Sequence, residues 1–324
     1  MKKIMITVAL LPVLLAACTN SEQNGSQNSV TQEYEAPAYY ANMYSGNLHT
    51  TYNDVVWDMV YQEGAGYAIQ MNGNTILDHV KDYFITDGCL YYTTIQEDGT
   101  YKYTLPDGGT SKIADITCTE LVCVGEDIYF TESDRHTVGK LYHTTVNGET
   151  PDVLLEDSIV APFNLYPIGD ALYFCMAANA DGASDPISTV VSGESGFGGT
   201  GYDFGDIYCL NLSSQQYSAV VSEAAVRRFL IENQILYYVS GTNLCAYDLL
   251  KGEPVELSNA PYDVLPETFT ISNGDILYSG MLDGVTHRYD PQTGESSVIA
   301  QQIFNRGIYI AGDLVYGDDD VLVF

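Results

Sequence analysis

The sequence predicts an all-β fold, a β-propeller of seven four-stranded blades, and three observations carry that expectation. A five-residue pattern of a turn residue, two variable positions, an aliphatic and an aromatic recurs seven times. Its aromatic positions, 57, 91, 129, 173, 237, 278 and 316, are separated by 34, 38, 44, 64, 41 and 38 residues. All but one gap sit near the roughly 40–45 residues of a four-stranded blade. The composition agrees, since 27 Tyr and 10 Phe against one Trp in 324 residues suit half-buried strands.

The same composition limits function. Hydrophobic residues make up 46% of the chain, with 29 Gly and 11 Pro, which excludes a disordered or collagen-like protein. The balance of 12 Lys+Arg against 43 Asp+Glu leaves a formal charge of -31. A surface that negative repels phosphate backbones, so no nucleic-acid partner is expected.

The N-terminus reads as an address. Lys2 and Lys3 precede an apolar run from Ile4 to Leu15, interrupted by Pro12. The run suits the core of a signal peptide and is too short to cross a bilayer core of about 30 Å as a helix. Leu15-Ala16-Ala17-Cys18 follows and resembles the lipobox of bacterial lipoproteins. That resemblance implies that residues 1–17 are removed as a signal peptide and that the Cys18 thiol carries acyl chains such as palmitate. It places the mature protein on the extracytoplasmic face of the cell membrane, or on the outer membrane of a diderm host. Residues 18–35 are rich in Ser, Asn, Gln and Thr and read as the lipidated cysteine and a flexible tether. No other apolar stretch reaches 18 residues.

The body, residues 36–324, is a repeat. Its motif copies begin at Asn53, Asp87, Gly125, Gly169, Asn233, Gly274 and Gly312 and end at Trp57, Tyr91, Tyr129, Tyr173, Tyr237, Tyr278 and Tyr316. Before most copies lies a short apolar run, as in Phe84-Ile85, Leu121 to Val124, Phe229 to Ile231, Phe269 to Ile271 and Ile308 to Ile310. The Gly, Asn or Asp between run and motif admits the positive φ of a tight hairpin. A Tyr-bearing strand follows, as in Tyr101-Lys102-Tyr103, Leu141-Tyr142-His143 and Arg288-Tyr289-Asp290. It turns at sites such as Asn72-Gly73, Asn147-Gly148 or Asp290 to Gly294. A fourth apolar stretch closes the unit, as in Ile76-Leu77, Val153 to Leu155, Val220-Val221 and Val298-Ile299. Four hairpin-linked strands at this spacing describe a blade.

The last copy supplies three strands, and Tyr39 to Tyr44 has no place in the first. The N-terminal segment is therefore expected to close the last blade as its outer strand and so to hide an edge. The 64-residue gap holds an insertion at about 177–205. It is read first as a solvated hairpin extension. Its aromatics Phe197, Tyr202 and Phe204, set among glycines and the acids Asp181, Asp185, Asp203 and Asp206, also suit the border of a binding surface.

Ile128-Tyr129-Phe130-Thr131-Glu132 and Leu90-Tyr91-Tyr92-Thr93-Thr94 resemble the YWTD-type strand of lipoprotein-receptor propellers. Over residues 40–324 the chain resembles bacterial lipoprotein propellers of unknown function with such repeats. YWTD propellers have six blades, so six is the alternative count.

The sequence nominates no catalytic, cofactor-binding or metal-binding residue; Cys18, as a lipidation site, is the single site residue. Cys89, Cys118, Cys123, Cys175, Cys209 and Cys245 lie on apolar strands, where thiols behave as small hydrophobes. Cys175 and Cys209, on neighbouring strands, are the best disulfide pair, and free buried thiols are the default. His49, His79, His136, His143 and His287 are scattered, with no HExxH pair. Around Ser195 the Gly-x-Ser-x-Gly elbow is incomplete. The Asp318-Asp319-Asp320 run and the Asp181/Asp185 loop offer oxygen ligands for Ca²⁺ without EF-hand spacing.

These readings converge on a membrane-anchored cell-envelope lipoprotein acting as a binding or scaffold module. The membrane, through the lipid on Cys18, and an envelope protein or glycan are its expected partners. The alternative is an extracytoplasmic propeller enzyme, a glycan-active hydrolase or lyase using channel-mouth carboxylates. Buried, converging carboxylates would favour the enzyme; dispersed ones favour the binder.

Overall fold

The computed structural model describes residues 49–323 apart from short intervals, of which 133–138 and 177–204 are the longest. Cys18, the tether, the Tyr39–Tyr44 segment and nearly all of the insertion lie outside the described residues. The rest is strand, turn and a single 3-10 turn at Pro266–Thr268.

Five antiparallel sheets follow one another along the chain, each built from sequence neighbours. The first holds β1 (His49–Tyr52), β2 (Val55–Gln62), β3 (Gly66–Met71), β4 (Asn74–Thr86), β5 (Cys89–Thr94), β6 (Thr100–Thr104) and β7 (Gly109–Ala114). The second holds β8 (Cys118–Val124), β9 (Asp127–Glu132), β10 (Gly139–Thr145) and β11 (Asp152–Ser158). The third holds β12 (Phe163–Ile168), β13 (Ala171–Met176), β14 (Gly205–Asn211), β15 (Gln216–Glu232), β16 (Ile235–Ser240), β17 (Asn243–Asp248) and β18 (Glu253–Val255). The fourth holds β19 (Thr270–Ser272), β20 (Asp275–Ser279), β21 (Thr286–Asp290) and β22 (Glu295–Ala300), and the fifth β23 (Ile308–Ala311), β24 (Leu314–Gly317) and β25 (Asp320–Val323).

The motif aromatics occupy one structural position. Each sits on the second strand of its repeat, opposite a residue of the third: Trp57 faces Met71, Tyr91 faces Lys102, Tyr129 faces His143 and Tyr173 faces Cys209. Tyr237 faces Ala246, Tyr278 faces His287 and Tyr316 faces Val321. The turn residue ahead of the motif has positive φ, as at Gly125 and Gly274. In the fifth copy Asn233 and Gln234 take this geometry at φ 51° and 66° without a glycine.

Burial grades across each repeat. The second strands β13 and β20 are buried at every position. The fourth strands β7 and β22 are exposed over most of their length. Opening strands lie against one another in succession: β4 against β8, β8 against β12, β12 against β15, β15 against β19 and β19 against β23. Opening strands therefore lie inside and fourth strands outside. Side chains join them: the Asn164 amide donates to the Phe229 carbonyl at 2.9 Å and the Tyr166 hydroxyl to the Ile231 carbonyl at 2.7 Å. One apolar core links Phe84 and Tyr91 with Leu121, Phe130, Leu172 and Phe174 across three consecutive sheets. Two separate sandwiches would not share it.

Two features differ from the sequence-based expectation, and a third decides between its alternatives. β1 was not foreseen, because His49-Thr50-Thr51-Tyr52 has no aliphatic residue and so no apolar signature. The closing stretch of one repeat and the opening run of the next form single long strands at β4 and β15. β4 leaves β3 and joins β5 at Val80, and β15 leaves β14 and joins β16 at Val226. Just before each switch stands a non-glycine residue with positive φ, His79 at 58° and Ala225 at 43°. Finally, Cys175 lies opposite Ile207, and Cys209 lies opposite Tyr173. The two thiols are diagonal rather than paired across the strands, and, as the default reading had it, none of the six described cysteines is in a disulfide; five of them are buried.

Candidate functional site

Between the second and third sheets, at the end where the β8–β9 and β12–β13 turns lie, there is a cavity of about 320 Å³. β9 supplies Asp127 and Tyr129, β10 supplies His143, and the turn into β13 supplies Asp170. Ser213 and Gln215 come from the turn after β14. Its apolar wall is Val124, Leu154, Leu210 and Leu212. Among the described residues no Lys or Arg lines it.

The repeat explains why these groups meet. Tyr129 is the motif aromatic, and the antiparallel register places His143 opposite it, with ring centroids 5.1 Å apart. Asp127, two residues before Tyr129, lies on the same face by strand alternation and meets His143 Nε2 at 2.8 Å through Oδ1. Asp170 is the second residue of the motif in the following repeat. Its carbonyl accepts from the Leu212 amide at 2.9 Å, and its Oδ2 accepts from the Ser213 hydroxyl at 2.6 Å, which fixes the far wall. Tyr129 is 5% exposed. Its phenol is pushed up to about 12, by burial first and then by the charges of Asp127 and Asp170. Among the described residues its hydroxyl makes no hydrogen bond.

This arrangement does not assemble a nucleophile. The imidazole is engaged by Asp127 and the Ser213 hydroxyl by Asp170, so the two do not form a serine–histidine pair.

His287 repeats part of this geometry elsewhere. It stacks on Tyr278 at 5.0 Å and meets Asp283 Oδ2 at 2.8 Å. Its carboxylate enters from the opposite end of the strands, in the β20–β21 turn. Tyr278 is pushed up to about 12, by burial first and then by Asp263, with Asp283 a smaller contributor.

The buried carboxylates are dispersed and engaged. Asp248 accepts the amides of Leu250 and Lys251 at 3.0 Å each and pairs with Lys251 Nζ at 2.8 Å. Asp275 pairs with both Arg288 Nε, at 2.6 Å, and Nη2. Glu120, deep among the opening strands though touched by solvent, accepts the Leu165 amide at 3.0 Å. Burial raises its carboxyl above the ordinary range, against the pull of the Asn164 and Leu165 amides and of Arg228. Burial likewise raises the Cys175 thiol, helped by Glu120 and Asp206, so Cys175 is an inert thiol.

The site residue predicted from sequence, Cys18, lies outside the described residues. So do the insertion's Asp181, Asp185, Phe197, Tyr202 and Phe204, and Asp318 and Asp319. Among the described residues no three His, Cys, Asp or Glu side chains converge to hold a metal ion, and no helix is long and apolar enough to cross a membrane. The cavity was missed by sequence reasoning, because Asp127, His143 and Asp170 share no motif spacing.

No protein-family model and no curated protein matches the sequence. Solved structures do. The crystal structure of puromycin hydrolase matches with a TM-score of 0.58 at 13% identity, over 88% of this chain and 52% of that one. A mutant of puromycin hydrolase complexed with PGG matches with a TM-score of 0.59 at 13% identity, over the same shares. A chain of a nidogen/laminin complex matches with a TM-score of 0.48 at 13% identity, over 78% of this chain and 93% of that one. The chain thus spans about half the length of the hydrolase chains. Likeness at this identity shows fold alone, and together with the strand order it supports a repeat-built, all-β architecture of the propeller type.

Proposed function

We propose that the protein is a binding or scaffold propeller of seven four-stranded blades, held at the extracytoplasmic face of a membrane by lipid on Cys18. The observation that carries the binding reading is the dispersal of its buried carboxylates. Asp248, Asp275 and Glu120 belong to different repeats, and each is engaged by a backbone amide or a basic side chain. The two acids that line the cavity, Asp127 and Asp170, are likewise engaged, by His143 and Ser213, whereas a glycan-cleaving pair needs two carboxyl groups about 5–10 Å apart and open to substrate. The count of seven is supported by dividing β4 and β15 at His79 and Ala225. The strands then fall into six groups of four and a last group of three, which the segment around Tyr39 to Tyr44 completes.

The anchor is supported by Lys2, Lys3, the Ile4–Leu15 run and Leu15-Ala16-Ala17-Cys18 in register. Two or more acyl chains would hold the protein stably, whereas one binds marginally. The test is growth of the host with an alkyne-bearing palmitate analogue, followed by cross-linking and capture of the protein. Wild type should label, fractionate with membranes and bring an envelope protein or glycan with it. Cys18→Ala should lose the label and the membrane fraction. Equal labelling of the variant overturns the anchor, and turnover of envelope glycan by purified protein overturns the binding reading.

A further inference from the structure

The geometry points to a docking surface for an arginine-bearing apolar segment of a partner protein, at the exposed pair Tyr262 and Leu282 with Asp263 and Asp283 beside it. The inference rests on the binding reading above and deepens it by naming the kind of partner and the face it meets. Tyr262 and Leu282 are 68% and 76% exposed, more than any other large apolar side chain among the described residues. Exposed apolar residues standing singly are ordinary, and Val153 on β11 and Tyr217 on β15 are of that kind. Tyr262 and Leu282 do not stand singly. Val264 bridges Gly280, and the Met281 amide donates to the Asp263 carbonyl at 2.8 Å. One residue further from that bridge on each side, Tyr262 and Leu282 therefore emerge next to each other. The segment carrying Tyr262 is also held from its other side. The Thr242 hydroxyl donates to the Tyr262 carbonyl at 2.8 Å, and the Leu244 amide to the Pro261 carbonyl at 2.9 Å. An exposed aromatic on a fixed backbone offers contact area at a small cost in entropy.

The charge beside the pair selects the partner. A methyl group placed on Gly280 would touch Asp283 Oδ1 and lie 3.0 Å from Asp263 Oδ2 and 3.2 Å from His287 Nε2, so both carboxylates reach over the same glycine. His287 meets Asp283 Oδ2 at 2.8 Å, and among the described residues no Lys or Arg pairs with either acid. The Asp283 side chain is 47% exposed, open enough to meet a partner. Over the whole chain 43 acidic residues stand against 12 basic ones, so a second copy or an acidic partner is repelled and a basic one is drawn in. Arginine suits the surface better than lysine. Its planar guanidinium stacks on the Tyr262 ring while its fork of donors meets a carboxylate. Apolar neighbours of that arginine then cover Leu282.

The experiment is fluorescence anisotropy of dansyl-Gly-Leu-Arg-Leu-Gly-amide titrated with the full-length protein in detergent. Two further peptides serve as comparisons, one with citrulline for arginine and one with serine for both leucines. The arginine peptide should bind saturably at roughly millimolar strength or tighter, as its few anchoring atoms allow, and the other two at least about fivefold more weakly. Leu282→Ser and Tyr262→Ser should each weaken binding about fivefold with the urea midpoint unchanged, since both side chains already face water. Asp263→Asn should weaken it several-fold and flatten its dependence on salt. Val153→Ser, at a single exposed apolar residue of another sheet, should leave binding as it is. Equal binding of the three peptides, no saturation, or the same loss in Val153→Ser as in Leu282→Ser overturns the inference, because attraction by net charge alone gives those results. The peptide comparisons on wild type hold even if a variant fails to fold. An envelope protein or glycan captured equally by wild type and Leu282→Ser, with no peptide binding, would overturn this inference and leave the binding reading standing.

Discussion

Glu120 shows how a single side chain joins two repeats at a cost. It accepts the Leu165 amide across the gap from β8 to β12, yet burial holds its carboxyl above the ordinary carboxylate range. A carboxyl raised in the folded state binds its proton more tightly folded than unfolded, so its stability deficit is largest above the raised value and disappears below the unfolded value near 4.3. Glu120→Gln keeps an acceptor for the amides without the charge. It should be more stable than wild type at pH 7 by urea unfolding, and the gain should shrink as pH falls towards 4. Glu120→Leu should lose about 1–3 kcal/mol, since the Asn164 and Leu165 amides are then left unmet. Gln234 is a second exception at this scale. It holds φ 66° where the turn prefers glycine, and its carbonyl accepts from Leu249 at 3.0 Å, a bond glycine would keep. Gln234→Gly should raise stability by about 0.5 kcal/mol, read as a higher urea midpoint with an unchanged slope. Both residues were opaque in the sequence. An acid in an apolar run and an Asn-Gln turn carry no pattern, whereas Tyr129 and its six counterparts announced themselves by recurring.

At the scale of elements, β4 and β15 do what the sequence divides between two stretches each. Val220-Val221 and Phe229 to Ile231 read as a closing and an opening strand, and both readings hold within one 17-residue strand. Periodicity records which residues are apolar, not whether the backbone between them stays extended. β1 escaped for the converse reason: its pairing with β2 is made by backbone, from His49 opposite Asp58 to Tyr52 opposite Val55, while its sequence has no aliphatic residue. The switch within β15 depends on Ala225, whose φ of 43° is strained for a residue with a Cβ. Ala225→Gly removes roughly 1–2 kcal/mol of left-handed strain and adds a smaller loss of unfolded-chain entropy. The variant should gain about 0.5–1 kcal/mol by urea unfolding. A loss of similar size would show that the switch does not rely on that geometry. The candidate site was half legible at this scale. The motif placed Tyr129 and Asp170 on their elements, but only the β9–β10 register, with His143 opposite Tyr129, reveals the imidazole beside the acid.

For the whole molecule, the all-β architecture was legible because one pattern recurs seven times, with its aromatic buried at Trp57, Tyr91, Tyr129, Tyr173 and Tyr278, and the repeat length bounded the unit. The proposed closure was not, since a contact between the most distant parts of the chain would leave no local trace. The fifth sheet, β23 to β25, has three strands among the described residues, where the second and fourth have four. Among the described residues no strand pairs with the outer edge of β25, and an edge left with unpaired N–H and C=O groups invites association between molecules. The segment proposed to close the last blade, residues 36–44, carries Tyr39, Tyr40, Met43 and Tyr44. Deleting Ala36 to Tyr44 while keeping residues 1–35 should cost about 3 kcal/mol, the burial value of one or two large apolar side chains, and should produce concentration-dependent association. Urea unfolding and light scattering at several protein concentrations measure the two effects. A matched deletion of Asn24 to Thr31, inside the tether, should leave both unchanged. A truncated protein as stable and as monomeric as the tether deletion would sink closure by this segment and direct the search for the missing strand elsewhere.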